Sequence, residues 1–501
     1  MKLYAIWTVP AALGLLQCPV VAQNTPVDLE PTTEADVREH IAILASDDFA
    51  GRDPGTIGEI KTLTYLSQQW ATAGMVSGTN DADKPWFQPV PLVQSKPVSS
   101  SVRILQDGKS LKLNENDILI IGTAPDAAVE GPIVFVGYGT DGEGKVLGDV
   151  AGKITLMLYA TPEGTEKYPS RDERRAALAD AGAAAVLTVV PDSFPWRAVK
   201  RSIKRGSYER ASDDRQPMIT GAVRYDFAED LLRLGDSSLK AESEAAQNAV
   251  VYVGYDTGLT ADLSATTAIR RFTSHNVIGK FPGNRPGSGA VMLMGHWDHF
   301  GSECRPPEAE DRICNGAVDN ASGMAVLTEV AEELGRLGPF DRDIYFMGTT
   351  AEERGLLGAY HYADYPAFPL DDIVAAFNLD TTAIAPRGTP VATIGRGETD
   401  LDDEIDAISR SLGREVDESL DANEFIKRQD GWAFAAKGVP AFMIGGSFAD
   451  DALLQKFLRG NYHSPDDETE NILDLGGAAE DADLHIALVR YFADTEKYSK
   501  E

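Results

Sequence analysis

The sequence predicts an α/β fold: a mostly parallel sheet covered by helices on both faces, interrupted by a smaller β-rich module. Three observations carry this reading. From Asn276 onward, apolar runs of strand length alternate with amphipathic stretches of helix length, the pattern of strands buried on both faces and joined by helical crossovers. Over residues 124–258 the character differs, with short β-type runs around one helical stretch. With 501 residues, the chain exceeds what one hydrophobic core usually serves. The predicted organisation is 1–22 as an export signal, 23–123 as the first part of the main domain, 124–258 as the inserted module, and 259–501 as the remainder of the main domain.

Composition narrows the class. There are 78 acidic and 46 basic residues, a formal charge of −32, and 43% of residues are hydrophobic. That is ample material for a packed core and argues against disorder. The acidity excludes a nucleic-acid partner, because phosphates would be repelled over most of the surface.

Taken in order, the chain opens with Lys2, an apolar run over 3–16, and small residues up to Ala22. This is the pattern of a secretory signal cut after Ala22, which predicts a secreted or periplasmic protein. The run is shorter than the roughly 20 residues of a membrane span and is broken by Pro10, so no stable membrane insertion is expected. Lipid attachment at Cys18 is disfavoured, since Gln17 stands where a small residue is wanted. Cys304 and Cys314 remain after the cut and are expected to pair in an oxidising compartment.

Apolar spacing then predicts helices over 34–45, through Val37, Ile41 and Leu44, and over 56–73, through Ile60, Leu63, Leu66 and Trp70. The Gly-, Asp- and Pro-rich stretch 47–55 between them reads as loop. In the inserted module, strands are expected at 118–121, 133–136, 154–159 and 184–190, with a helix at 176–181. Arg197, Lys200, Arg201, Lys204, Arg205 and Arg210 concentrate positive charge there and read as solvated surface. In the main domain, strands are expected at 290–294, 343–347, 373–379, 391–394 and 439–444. Helices are expected at 323–337, 356–362, 401–412, 432–436 and 484–495.

In sheets of this kind ligands collect outside the carboxyl ends of the strands, and the polar residues of this chain fall there. Run 291–294 leads into His296 and Asp298, and 344–347 into Glu352 and Glu353. Run 374–377 leads into Asp380; Asp319 opens the helix at 323, and Tyr462 and His463 stand in a late loop. Singly these are ordinary: Asp319 reads as a helix N-cap and the glutamates as first-turn acids. Jointly they are not, since converging carboxylates repel unless cations neutralise them. Two imidazoles and three carboxylates with no thiolate suit zinc-like divalent ions. Five residues can serve two ions if one carboxylate bridges, and Asp298 is spaced to support the imidazole of His296 from behind.

With these residues the chain resembles the secreted di-zinc aminopeptidase family that also contains glutamate carboxypeptidase and the non-enzymatic transferrin receptors. The segment Gly51-Arg52-Asp53-Pro54-Gly55-Thr56 is similar to that family's N-terminal signature. Gly137-Tyr138-Gly139, Gly152-Lys153-Ile154 and Ala181-Gly182-Ala183-Ala184 resemble its protease-associated insert. The resemblance implies a zinc-exopeptidase-like fold and two zinc ions per chain. It implies that His296 and Asp380 bind the first ion, Glu353 and His463 the second, and that Asp319 bridges them. Glu352 would be the general base acting on a metal-bridged hydroxide, Asp298 the residue orienting His296, and Tyr462 a stabiliser of the oxyanion. Gln429 and Thr381 depart from the family pattern, where serine and methionine are frequent, which leaves specificity open.

The expected activity is removal of N-terminal residues from short peptides. Three alternatives stay open: a carboxypeptidase or dipeptidase in which Arg396 or Arg428 grips a substrate carboxylate, a mono-zinc glutaminyl cyclase-like amidohydrolase, and a non-catalytic receptor-like protein. The oligomeric state is not legible in the sequence.

Overall fold

The structure, a computed structural model, describes residues 31–499 apart from 115, 166–167, 212–217, 250, 306–307 and 473. The expected signal at 1–22, with Cys18, lies outside the described residues. No helix among the described residues is long and apolar enough to cross a membrane.

Four strands form the parallel heart of the main domain, in the order Asp343–Thr349, Ala290–His296, Ile373–Asn378, Ala441–Gly445. Every residue of Ala290–His296 is buried, and alternate side chains enter opposite cores. Val291 and Leu293 pack with the helices Glu34–Leu44, Gly323–Leu337 and Gly476–Phe492. Ala290, Met292 and Met294 pack with Leu357–Asp364 and Gly431–Ala435. Both faces are covered, as the apolar runs require. Antiparallel strands Ala392–Ile394 and Tyr255–Phe281 flank this group.

The sequence did not predict the length of two strands. Tyr255–Phe281 spans 27 residues and Phe87–Gln106 spans 20. They pair along most of their lengths, and the former also pairs with Asp343–Thr349 at one end and Asp126–Phe135 at the other. In Tyr255–Phe281 the residues Leu259, Ala261, Leu263 and Ala265 point inward between exposed or half-exposed polar neighbours. Small alanines and threonines at those positions weaken the apolar alternation that marks a strand. The expected division between 258 and 259 falls inside this strand.

A second core gathers residues from Ile104 to Ala265 around the parallel strands Asp126–Phe135, Ile154–Leu158, Ala185–Val190 and Ile219–Arg224. The helix expected at 176–181 begins earlier and spans Arg171–Asp180, capped by Ser170 and Glu173. The C-terminal helix also begins earlier than its apolar pattern suggests, at Gly476 rather than 484. Its first turn packs so closely that a Cβ on Gly477 would lie 2.3 Å from the Ala385 carbonyl, so glycine there serves packing rather than termination.

Candidate metal centre

The parallel strands deliver the polar residues to one sheet edge. His296 ends its strand, Glu352 and Glu353 follow Asp343–Thr349, and Asp380 follows Ile373–Asn378. Asp319 lies in the turn Ala317–Ser322 that opens Gly323–Leu337, and His463 follows the helix Asp451–Arg459.

Asp319 stands between the two imidazoles. Its Oδ1 lies 3.2 Å from His296 Nε2, and its Oδ2 lies 3.2 Å from His463 Nε2. On the first side Asp380 Oδ1 is 3.6 Å from His296 Nε2. On the second side Glu353 Oε2 is 3.0 Å from His463 Nε2. Glu352 Oε2 lies 3.7 Å from His296 Nε2, beside the cluster's first half. Among the described residues His296 Nε2 and His463 Nε2 are buried with no hydrogen-bond partner, which is costly unless something else satisfies them. Ligand bonds of about 2.0–2.2 Å in a tetrahedron separate donors by roughly 3.3 Å. The donor atoms therefore fit two zinc-sized ions that share Asp319.

The supporting contacts converge on the same loops. Asn320 donates to the carbonyls of His296 (3.3 Å) and Leu379 (3.0 Å), while its Oδ1 accepts from Gly323 and Thr381. Asp467 accepts from the backbone N–H of Val318 at 2.9 Å and of Asp319 at 3.1 Å, tying the His463 loop to Asp319. Thr381 donates to Asp380 Oδ1 at 2.8 Å. Tyr462 stacks on His463, with ring centroids 3.6 Å apart. His299, fully buried, places Nδ1 2.6 Å from Glu353 Oε1, so it packs beneath that carboxylate.

The contact to His296 Nδ1 differs from expectation. The nearest acceptor is the backbone carbonyl of Asp298 at 3.1 Å; its carboxylate is 3.9 Å away. That carboxylate accepts instead from the backbone N–H of Glu352.

In the chain by itself, burial raises Glu352 well above the usual carboxylate range, with the charges of Asp430, Asp380 and Glu353 adding to it. Burial also pushes Asp298 up to about 7. Burial would raise Asp319 too, but the imidazoles of His296 and His463 beside it overcome this and hold that carboxyl well below its ordinary value. Glu352 thus combines a raised proton affinity with a carboxylate oxygen 3.7 Å from His296 Nε2, a combination that suits a general base.

Of the other candidates, Cys304 and Cys314 form a disulfide with Cα atoms 5.7 Å apart. Arg428 is exposed, its guanidinium 5.2 Å from the Phe425 ring. Arg396 is committed to Asp406, with Nη2 2.6 Å from Oδ1, which removes it as a free grip for substrate. His40, His275 and His485 bond Tyr65, Glu59 and the Asp481 carbonyl respectively, away from the cluster. Sequence reasoning assigned no role to Asn320, Asp467 or Arg52. Arg52 stood only in the N-terminal signature, and its burial is the signal that marks it.

Residues 276–489 match the family described as Peptidase family M28. Aminopeptidase YwaD of Bacillus subtilis (strain 168) is 36% identical over 111 residues, which span 21% of this chain and 22% of that protein. Among solved structures, an aminopeptidase from Aneurinibacillus sp. strain AM-1 is 20% identical, with a TM-score of 0.56 over 92% of this chain and 94% of that one. A peptidase M28 precursor from Shewanella amazonensis SB2B is 16% identical, with a TM-score of 0.51 over 93% of this chain and 96% of that one. These two likenesses bear on the fold.

Proposed function

Residues 276–489 match the model of Peptidase family M28, and from that match we propose that the chain is a di-zinc exopeptidase that removes N-terminal residues from short peptides. The observation that carries this is the division of Asp319, one carboxylate oxygen beside each imidazole. In this reading His296 and Asp380 hold one zinc, Glu353 and His463 the other, and Asp319 both.

Bound there, the two ions would bring a shared water's pKa toward neutrality and polarise the scissile carbonyl. The chain's own residues supply the rest. Glu352 takes a proton from the attacking water and returns it to the leaving amine. Tyr462, stacked on His463, offers its hydroxyl to the oxyanion. Asp298 sets His296 through its carbonyl and Glu352 through its carboxylate, which supports an orienting role.

Assaying a dipeptide with its amino group free, with that group acetylated, and with its carboxyl amidated tests the specificity, with metal analysis alongside. Loss of activity on acetylation alone is expected. Activity that survives acetylation but not amidation would instead favour the carboxypeptidase reading.

The second core is read as a protease-associated insert that limits access to the centre. Supporting this, Arg205 on Trp196–Arg205 lies 4.2 Å from the Phe300 ring centre, and that ring is 4.5 Å from the His463 ring. Rates that did not fall as peptides lengthen would sink it. The 1–22 pattern and the disulfide support export; amino-terminal sequencing of the exported protein should begin at Gln23.

A further inference from the structure

We propose that Arg52 is a positioning residue of the metal centre, its guanidinium holding the loop of His296 and Asp298 against the loop that leads to Asp319. This rests on the reading that those residues hold metal ions. Arg52 is 1% exposed. Its Nε donates to the Trp297 carbonyl at 2.8 Å, between His296 and Asp298. Its Nη1 donates to Leu44 at 2.7 Å and Asn315 at 2.6 Å, and its Nη2 to Gly316 at 2.9 Å. One planar group thus joins the end of the first helix, the first ligand's loop and the approach to the bridging carboxylate.

The backbone is shaped to put it there. Ala50, Gly51 and Arg52 all have φ between 49 and 65°, a conformation that non-glycine residues adopt only where the surroundings impose it. A Cβ on Gly51 would lie 2.5 Å from the Cys314 carbonyl, so the approach needs glycine. The same turn accepts N–H groups from His299 at 3.3 Å and Gly301 at 2.9 Å. All four guanidinium acceptors are neutral carbonyls. A buried charge without a touching carboxylate is expensive: burial lowers the Arg52 pKa to about 10, and the nearby acids Asp467, Asp298, Asp319 and Glu353 offset part of that cost. Arg52 therefore answers the negative charge of the centre while spanning its loops, which a lysine's point charge cannot do in the same plane.

The molecule contains a matched control. Arg174, also 1% exposed, donates to the carbonyls of Tyr138, Leu158, Ala160 and Tyr159 at 2.9–3.1 Å, all in the inserted region. Arg52→Lys and Arg174→Lys should be compared for zinc retained against chelators of graded strength, for kcat and KM, and for unfolding of the zinc-free protein. The expected result is roughly 10- to 100-fold weaker zinc retention in R52K, with lowered kcat, and wild-type zinc binding and kcat in R174K. Wild-type zinc affinity in a folded R52K, or equal zinc loss in both variants, would overturn the inference. A wild-type protein that binds no zinc would overturn the metal reading and this inference with it. Should R52K fail to fold, hydrogen exchange in zinc-free wild type decides: segments 297–301 and 315–319 should stay protected, and free exchange there overturns the proposal.

Discussion

Glu352 donates its backbone N–H to Asp298 Oδ1 at 2.9 Å, so the residue whose carbonyl faces His296 also fixes the start of the glutamate pair. His296 and Glu352, the proposed ligand and the proposed base, are set from one point. Moving Asp298 would disturb both, whereas changing only the Glu352 side chain should leave the metal ligands in place.

Glu352→Gln is therefore expected to keep its zinc while losing on the order of 10²–10⁴ in kcat. Metal analysis of the purified variant beside its turnover checks this. Near-normal turnover would remove Glu352 as the base.

Asp319 serves both imidazoles and Asp380 only one. Asp319→Ala should lose both ions, Asp380→Ala chiefly the ion at His296, and His463→Ala chiefly the other. Stoichiometry after dialysis distinguishes these outcomes, and two ions retained in Asp319→Ala would count against a bridge.

The two arginines considered for a substrate carboxylate should behave oppositely. Arg396 and Asp406 have side chains each 10% exposed, and Arg410 Nη2 also lies 3.5 Å from Asp406 Oδ2, so Arg396→Met leaves that carboxylate one more distant partner and should cost about 2 kcal/mol of stability. Exposed Arg428→Ala should leave stability within about 0.5 kcal/mol. It should raise KM by roughly tenfold at most for dipeptides over aminoacyl amides. Equal effects on both substrate types would dismiss Arg428 as a carboxylate contact.

His485 gives a pH signature away from the metals. Burial lowers its pKa to about 4 in the fold, against about 6.5 unfolded. Because the folded value is depressed, the unfolded chain takes up the proton first. The group's contribution is present above pH 6.5 and lost as pH falls toward 4. At pH 5 this amounts to about 2 kcal/mol. Urea unfolding at pH 7.5 and pH 5 should show that much more acid loss in wild type than in His485→Phe; equal losses would refute it.

By itself the sequence determined the sheet's buried strands and which polar residues follow them, because both are local: an apolar run and the side chains just past its end. His296, Glu352, Glu353 and Asp380 were legible for that reason, as were most helices of the main domain. The tertiary structure decided what depends on separations of a hundred residues or more. It set Asp319 between His296 and His463, brought Asp467 onto the Asp319 backbone, and showed that Asp298 meets His296 through its carbonyl. It also joined the two cores through a 27-residue strand whose small residues hid it. Arg52 is the clearest case, since no sequence pattern tells whether an arginine faces water or is sealed among four carbonyls. Only packing brings those carbonyls together.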